Sequence, residues 1–207
     1  MEKKISKSVL KRLPGYLAYL KSLTDSESPY ISATALANAL GMGEVQVRKD
    51  LATVSDGGRP KIGYLRESLI DDIEQFLGYD NTTDAILIGA GKLGHALMDH
   101  KGFDEYGLNI LAGFDVSPNA EHTEDGKPIY HIDKLEKFCR SNKVLMGIIT
   151  VPASHAQEVC DRLIKNGIKA IWNFAPTHLE VPAHILVQYE NMASSLAVLS
   201  MHLQAQM

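Results

Sequence analysis

The chain has 207 residues, 45% of them hydrophobic and 22% charged, with a formal net charge of −4. That is chain enough for one large core or two small ones, and no apolar run approaches the ~18 residues that a membrane helix needs. The two cysteines, Cys139 and Cys160, lie in separate helical patterns without metal-ligand spacing, which excludes a disulfide scaffold and predicts reduced structural thiols in a cytoplasmic protein with no metal site.

Charge is uneven along the chain. Residues 1–66 hold 11 Lys and Arg against 6 Asp and Glu, whereas residues 67–207 hold 10 against 19. A basic excess confined to one end suggests an anionic partner for that end alone. The first residues, MEKKISKSVLKRLPGYL, carry charge but no apolar signal segment or cleavage site.

In chain order, Val9, Leu10, Leu13, Leu17, Leu20 and Leu23 recur at helical spacing over residues 7–24, with Pro14 predicting a restart inside the pattern. Residues 24–29 read as a turn. Ser32 is the expected N-cap of a short helix ending near Leu40. The glycines of Gly41-Met42-Gly43 break that helix, and a second short helix follows over about residues 44–54. Two short helices around a glycine turn form the helix-turn-helix signature. Its second helix would enter the major groove of double-stranded DNA. Gln46 is then suited to adenine edges, Arg48 to guanine and Lys49 to phosphate. Residues 56–64 read as a hairpin with Arg59 and Lys61 near its tip, as in a winged helix. On periodicity alone a plain helical hairpin with a solvated basic face is the favoured reading, since short helical pairs are common. An amphipathic helix is expected over residues 64–77, stopped by Gly78, with a polar linker at 79–83. The DNA-binding domain is therefore assigned to residues 1–78.

The run Ala85-Ile86-Leu87-Ile88 is short, apolar and half β-branched, as a strand buried on both faces should be. It leads into Gly89-Ala90-Gly91-Lys92-Leu93-Gly94, a G-x-G-x-x-G, and then a helical pattern through about Lys101. Gly89 permits the tight turn, Gly91 lets backbone approach a pyrophosphate, and Gly94 lets helix pack on strand. The amides that open the helix favour the diphosphate's charge. A second strand over residues 109–114 ends in Asp115, 21 residues beyond Gly94. An acid there reads the ribose hydroxyls of NAD(H) and repels the extra phosphate of NADP. Residues 121–127 form a loop, 128–130 a short strand, and 131–141 a helix. Residues 144–150 form a buried strand with Val151 and Pro152 at its carboxyl end. A helix at about 154–165, stopped by Gly167, then precedes strands at 170–174 and 186–189. Alternating strands and helices predict an α/β fold, a Rossmann-like doubly wound parallel sheet over residues 79–190. Ligands bind such sheets at the strands' carboxyl ends, which gathers the glycine loop, Asp115, Thr150, Val151, Pro152 and Asn173 on one rim, where Thr150 and Asn173 can supply polar contacts near a nicotinamide or equally cap a helix or turn. Residues 191–206 form a last helix whose apolar stripe, Met192, Leu196, Leu199 and Leu203, is suited to packing on its own sheet or, the sharper reading, to exchange between two subunits of a homodimer. Residues 191–207 are accordingly assigned as a domain-swapped dimerisation helix.

Across nearly its whole length the chain resembles the Rex family of bacterial redox-sensing transcriptional repressors. The match is carried by RLPGYLAYL at 12–20, QVRKDL at 46–51, Gly63-Tyr64, GAGKLG at 89–94, KGF at 101–103, FDV at 114–116, YHID at 130–133, TVPA at 150–153 and NFAP at 173–176. The resemblance implies an N-terminal winged helix, an NAD(H)-binding Rossmann domain and a dimer with exchanged C-terminal helices. In that family NAD+ permits operator binding, and NADH closes the dimer and releases DNA. The chain departs from the family where QVRKDL is followed by Ala52-Thr53-Val54-Ser55-Asp56-Gly57-Gly58 in place of a serine-tyrosine-phenylalanine run. It departs again at Ala18, His100, Ala193 and Ser194, where the resemblance implies an arginine, a tyrosine, an aspartate and an aromatic residue of the redox switch. The expected function is a DNA-binding repressor that senses the NADH/NAD+ ratio and is not an enzyme. The alternatives are a Rex-like regulator binding a nucleotide without strong switching, a small NAD-dependent oxidoreductase, and a CoA-binding module. Too little chain remains for a substrate domain, which disfavours the oxidoreductase. Asp115 disfavours CoA, whose 3′-phosphate it would repel.

Overall fold

A computed structural model describes residues 5–24 and 28–204 and divides into two units, Met1–Asn81 and Thr82–Met207. In the first, α1 (Lys7–Ser22) begins on Ser6, whose Oγ accepts from Val9 N at 3.3 Å. The helix runs unbroken through Pro14, so the expected restart does not occur. The carbonyl that the proline leaves unpaired belongs to Leu10, on the exposed side, where water can take it. Leu13, Tyr16, Leu17 and Leu20 are buried on the other side and hold the helix together. Part of the turn read at 24–29 lies outside the described residues.

Ser32 caps α2 (Ala33–Ala39) as expected, its Oγ accepting from Ala35 N at 3.0 Å. The third helix, α3, covers Glu44–Val54. Two strands lie outside the sequence expectation. Tyr30–Ile31 is β1, and Tyr64–Leu65, read as the first turn of a helix, is β2, paired antiparallel to it. No local period marks a two-residue strand; its stability comes from the partner across the pair. Gly63 allows the approach: it has φ 96°, and a Cβ there would lie 2.3 Å from the Ile31 carbonyl oxygen. α4 then spans Arg66–Leu77 and ends on Gly78 in the left-handed conformation.

The second unit holds one six-stranded sheet, ordered β5-β4-β3-β6-β7-β8. Its strands are β3 (Thr83–Ile88), β4 (Leu108–Asp115), β5 (Ile129–His131), β6 (Met146–Ile149), β7 (Ala170–Asn173) and β8 (Leu186–Tyr189). Every pairing is parallel. Counted from β3, this is the 3-2-1-4-5-6 order of a dinucleotide fold, with the reversal of order between β3 and β6. α6 (Leu135–Asn142) and α7 (Ala153–Lys165) follow β5 and β6. Residues Ile86, Ile88, Phe114, Leu135, Cys160 and Leu163 share one buried cluster. Ala85, Leu87, Met98, Ile110 and Ile148 form another, which includes α5 (Lys92–Met98) through Met98.

Several expected bounds shift. α5 stops at Met98 rather than near Lys101, and a 3₁₀ segment, Lys101–Tyr106, replaces its last turn. The helix read from His131 starts at Leu135, because His131 pairs with Asp115 as the end of β5. β3 begins at Thr83, inside the stretch read as linker. Cys139 and Cys160 are buried and unpaired, and burial pushes the Cys160 thiol up to about 11. The last helix, α8, spans Met192–Gln204; Ala205 and Gln206 of the expected helix lie outside the described residues.

Candidate functional site

The glycine loop follows β3 at the point where the strand order reverses. Gly89 has φ 106°, a region that side chains rarely adopt. A Cβ at Gly94 would stand 2.2 Å from the Gly89 carbonyl oxygen, so α5 packs directly on the loop. At Gly91 a Cβ would meet nothing within 4 Å. Of the three, then, only Gly91 is bordered by open space, as a site for an approaching diphosphate requires.

Flanking strands grip the loop from both sides. Asp115, at the end of β4, accepts from Ala90 N through Oδ2 at 2.8 Å and from Ser117 N through Oδ1 at 2.9 Å. Each carboxylate oxygen retains a further lone pair for a ribose hydroxyl. From β6, the Thr150 hydroxyl lies 3.0 Å from the Ile88 carbonyl and 2.8 Å from that of Gly89. Its one proton is therefore committed to the loop, so Thr150 holds the cradle rather than offering a donor to nicotinamide. Asn173 takes the second of its two expected roles, that of a turn residue. It is wholly buried; its Nδ2 donates to the carbonyls of Ala175 and Thr177 at 3.1 and 3.0 Å, and its Oδ1 accepts from Ala175 N at 3.0 Å. That side chain shapes the turn after β7 and has no surface for direct contact with a ligand. Lys92 and Pro152 are exposed beside the loop, and Val151 is half-buried, its Cγ1 2.9 Å from where a Gly89 Cβ would lie. The residues therefore fit a dinucleotide. Among the described residues, no group of three or more His, Cys, Asp or Glu is arranged to hold a metal ion.

In the first unit, α3 buries Val47, Asp50 and Leu51 and exposes Val45, Gln46, Arg48 and Lys49. The exposed residues are those a recognition helix uses. Arg48 pairs with Glu44 one turn earlier on the open surface, a contact worth about 0.3–0.5 kcal/mol that a base can displace. Arg59 anchors the wing through paired backbone hydrogen bonds with Gly63, both 2.9 Å, and Lys61 sits in its turn at φ 66°.

Sequence reasoning missed the group beneath this surface. Arg12 of α1 donates to both Asp50 oxygens, Nε to Oδ2 at 2.7 Å and Nη2 to Oδ1 at 2.9 Å, and Tyr16 Oη donates to Oδ2 at 2.8 Å. Burial works against the Asp50 charge, but the hydrogen bonds from Arg12 and Tyr16 outweigh it and hold the carboxyl below its ordinary range. Burial, then the bond to Asp50, pushes Tyr16 up to about 12. The available signal was Asp50 itself, an acid in the buried stripe of α3 beside Val47 and Leu51. Such a charge needs a partner.

Fold and sites together define a class: a helix-turn-helix unit joined to a Rossmann-like unit. Residues 4–52 match the family described as "Putative DNA-binding protein N-terminus", and residues 80–177 match the one described as "CoA binding domain". The redox-sensing transcriptional repressor Rex of Porphyromonas gingivalis is 39% identical over 200 residues, covering 96% of this chain and 92% of its own. The Rex of Treponema denticola is 41% identical over 191 residues, 92% and 91% of the two chains. Among solved structures, the Rex-family repressor RSP in complex with NAD+ and operator DNA matches with a TM-score of 0.89 at 33% identity, over 99% of this chain and 95% of that one. RSP in complex with NADH matches at 0.86 and 32%, over 99% and 97%. The chain belongs to the Rex family.

Proposed function

We propose that this protein is a DNA-binding transcriptional repressor that senses the NADH/NAD+ ratio, and not an enzyme. The observation that carries the reading is the end-to-end match to RSP, solved both with NAD+ on operator DNA and with NADH. Residues 1–78 bind the operator, with Gln46, Arg48, Lys49, Arg59 and Lys61 on the DNA side. Residues 79–190 hold NAD(H). Gly89, Ala90, Gly91, Lys92, Leu93 and Gly94 receive the diphosphate, Asp115 the ribose, and Val151 and Pro152 line the rim. Thr150 and Asn173 act indirectly, by holding the loop and the turn. Residues 191–207 serve dimerisation: α8 leaves Leu196, Leu199 and Leu203 at least 60% exposed, an apolar surface that a second copy would cover. Such a repressor works where the chromosome is, in the cytoplasm. The CoA reading is not favoured, because the Asp115 carboxylate would repel the 3′-phosphate of CoA.

Operator binding followed across the NADH/NAD+ ratio at fixed salt tests this function. Release as NADH rises is expected. A flat response would favour the second reading, nucleotide binding without switching. Two observations motivate it. Ala18 brings no polar group to α1, and the His100 ring stands edge-on to Phe103 with centroids 4.7 Å apart.

A further inference from the structure

Left-handed backbone is uncommon for residues with a side chain, because the Cβ crowds the carbonyl oxygen that follows it. Among the described residues two non-glycine positions adopt it, and both are lysines: Lys61 at φ 66° and Lys143 at φ 49°. Lys143 has a local reason. It caps α6, its N–H donating to the Cys139 carbonyl at 3.2 Å, and a cation there meets the negative end of the helix dipole. Lys61 has no such reason. It is the third residue of the turn Arg59-Pro60-Lys61-Ile62, closed by Ile62 N donating to the Arg59 carbonyl at 3.2 Å. With proline second and a positive φ third this is a type II turn, whose third residue is usually glycine. Lys61 is exposed and makes no ion pair among the described residues. Glycine would hold the same turn without strain, so what the lysine adds is a cation at the tip of the wing. That wing ends beside the surface of α3. Burial pushes the Tyr64 hydroxyl up, and Arg48 is near enough to act against the shift.

We infer that Lys61 is a phosphate contact, its ammonium presented to the DNA backbone from a turn that costs the fold stability. This rests on the DNA-binding reading above. An ammonium is a compact charge with donors and no acceptor. It suits any phosphate oxygen and carries no sequence information. The wing and α3 then divide the work: α3 reads sequence, and the tip of the wing adds affinity common to every sequence.

The test is binding of an operator duplex and of an unrelated duplex of equal length, in the presence of NAD+, over a salt range in which the unmodified chain binds both. Lys61→Gly removes strain and charge together. It should melt no lower than the unmodified chain, yet bind both duplexes about threefold to tenfold more weakly, with a salt slope shallower by about one for each wing bound. Lys61→Ala keeps the strained backbone and loses the charge, so it should weaken binding by the same factor. Lys61→Arg should restore it. Lys143→Gly, which removes the same charge and relieves the same kind of strain in the other unit, should bind both duplexes like the unmodified chain. An unchanged slope in Lys61→Ala overturns the inference, and so does a loss confined to the operator, which would make Lys61 a base reader. A loss in Lys61→Gly that Lys61→Ala does not share would trace the effect to a loosened wing, and an equal loss in Lys143→Gly would trace it to net charge; either overturns the inference. If the unmodified chain binds neither duplex at any salt, the DNA-binding reading itself falls and takes this inference with it, so the two failures are distinguishable.

Discussion

Gly91 and Gly94 sit three residues apart, yet a methyl group should have opposite consequences at the two positions. At Gly94 it would enter the Gly89 carbonyl at 2.2 Å, so Gly94→Ala should lower the melting temperature, at a cost of about 1–3 kcal/mol for overpacking. At Gly91 it would meet no protein atom within 4 Å, so Gly91→Ala should melt like the unmodified chain and lose affinity for NADH and NAD+ alike. Thermal unfolding and fluorescence titration separate the two effects. On the DNA side, Arg48→Ala, with folding intact, should weaken operator binding by about 1–3 kcal/mol if the guanidinium makes a bidentate base contact. An unchanged Kd would remove Arg48 from the base readers. Asp50 adds a pH dependence. Its folded pKa lies below the unfolded one, so its contribution is present above about pH 4 and lost as pH falls through the lowered folded value. Asp50→Asn should therefore flatten the acid limb of the stability profile, measured by denaturant melts across pH.

At the scale of elements, what could be read from the sequence was what local chemistry specifies. Ser32 and Gly78 terminate helices by their own side-chain or backbone properties, and both do so here. The strand–glycine loop–helix was legible because burial, glycine spacing and helical period coincide within a few residues. β1 and β2 were not, since each is stabilised only by a segment more than 30 residues away in the chain. The Arg12–Asp50 pair escaped for the same reason, its partners being 38 positions apart. Thr150 and Asn173 were found as rim residues with ligand contact and turn capping both open, and the choice depends on where neighbouring turns fold, which no spacing reveals. α8 was legible as a helix, and its unused apolar side chains supply a prediction. Deleting residues 191–207 should give a monomer by sedimentation and abolish cooperative binding to a two-half-site operator, because two recognition helices are no longer held together. A truncated chain that still sediments as a dimer would assign the interface elsewhere.

For the whole molecule, the charge division visible in the sequence has a physical use. A net-negative chain is repelled by DNA, and the basic excess of residues 1–66 biases approach so that the helix-turn-helix end leads. Operator affinity should consequently fall steeply with salt, with a slope set by the phosphates contacted. On the function proposed, the Rossmann half would need no positive field of its own, because backbone amides at the opening of α5 would receive its anion. The loop that presents them is held on one flank by Asp115 and on the other by Thr150. NAD+ and NADH carry the same adenosine and the same diphosphate, so a cradle set rigidly for those parts has no basis for telling the two apart. It retains whichever form is present, and at concentrations well above both dissociation constants the pocket is always full. Occupancy then carries no information, a change in the size of the total dinucleotide pool cancels out, and only the competition between the two forms is left to be read.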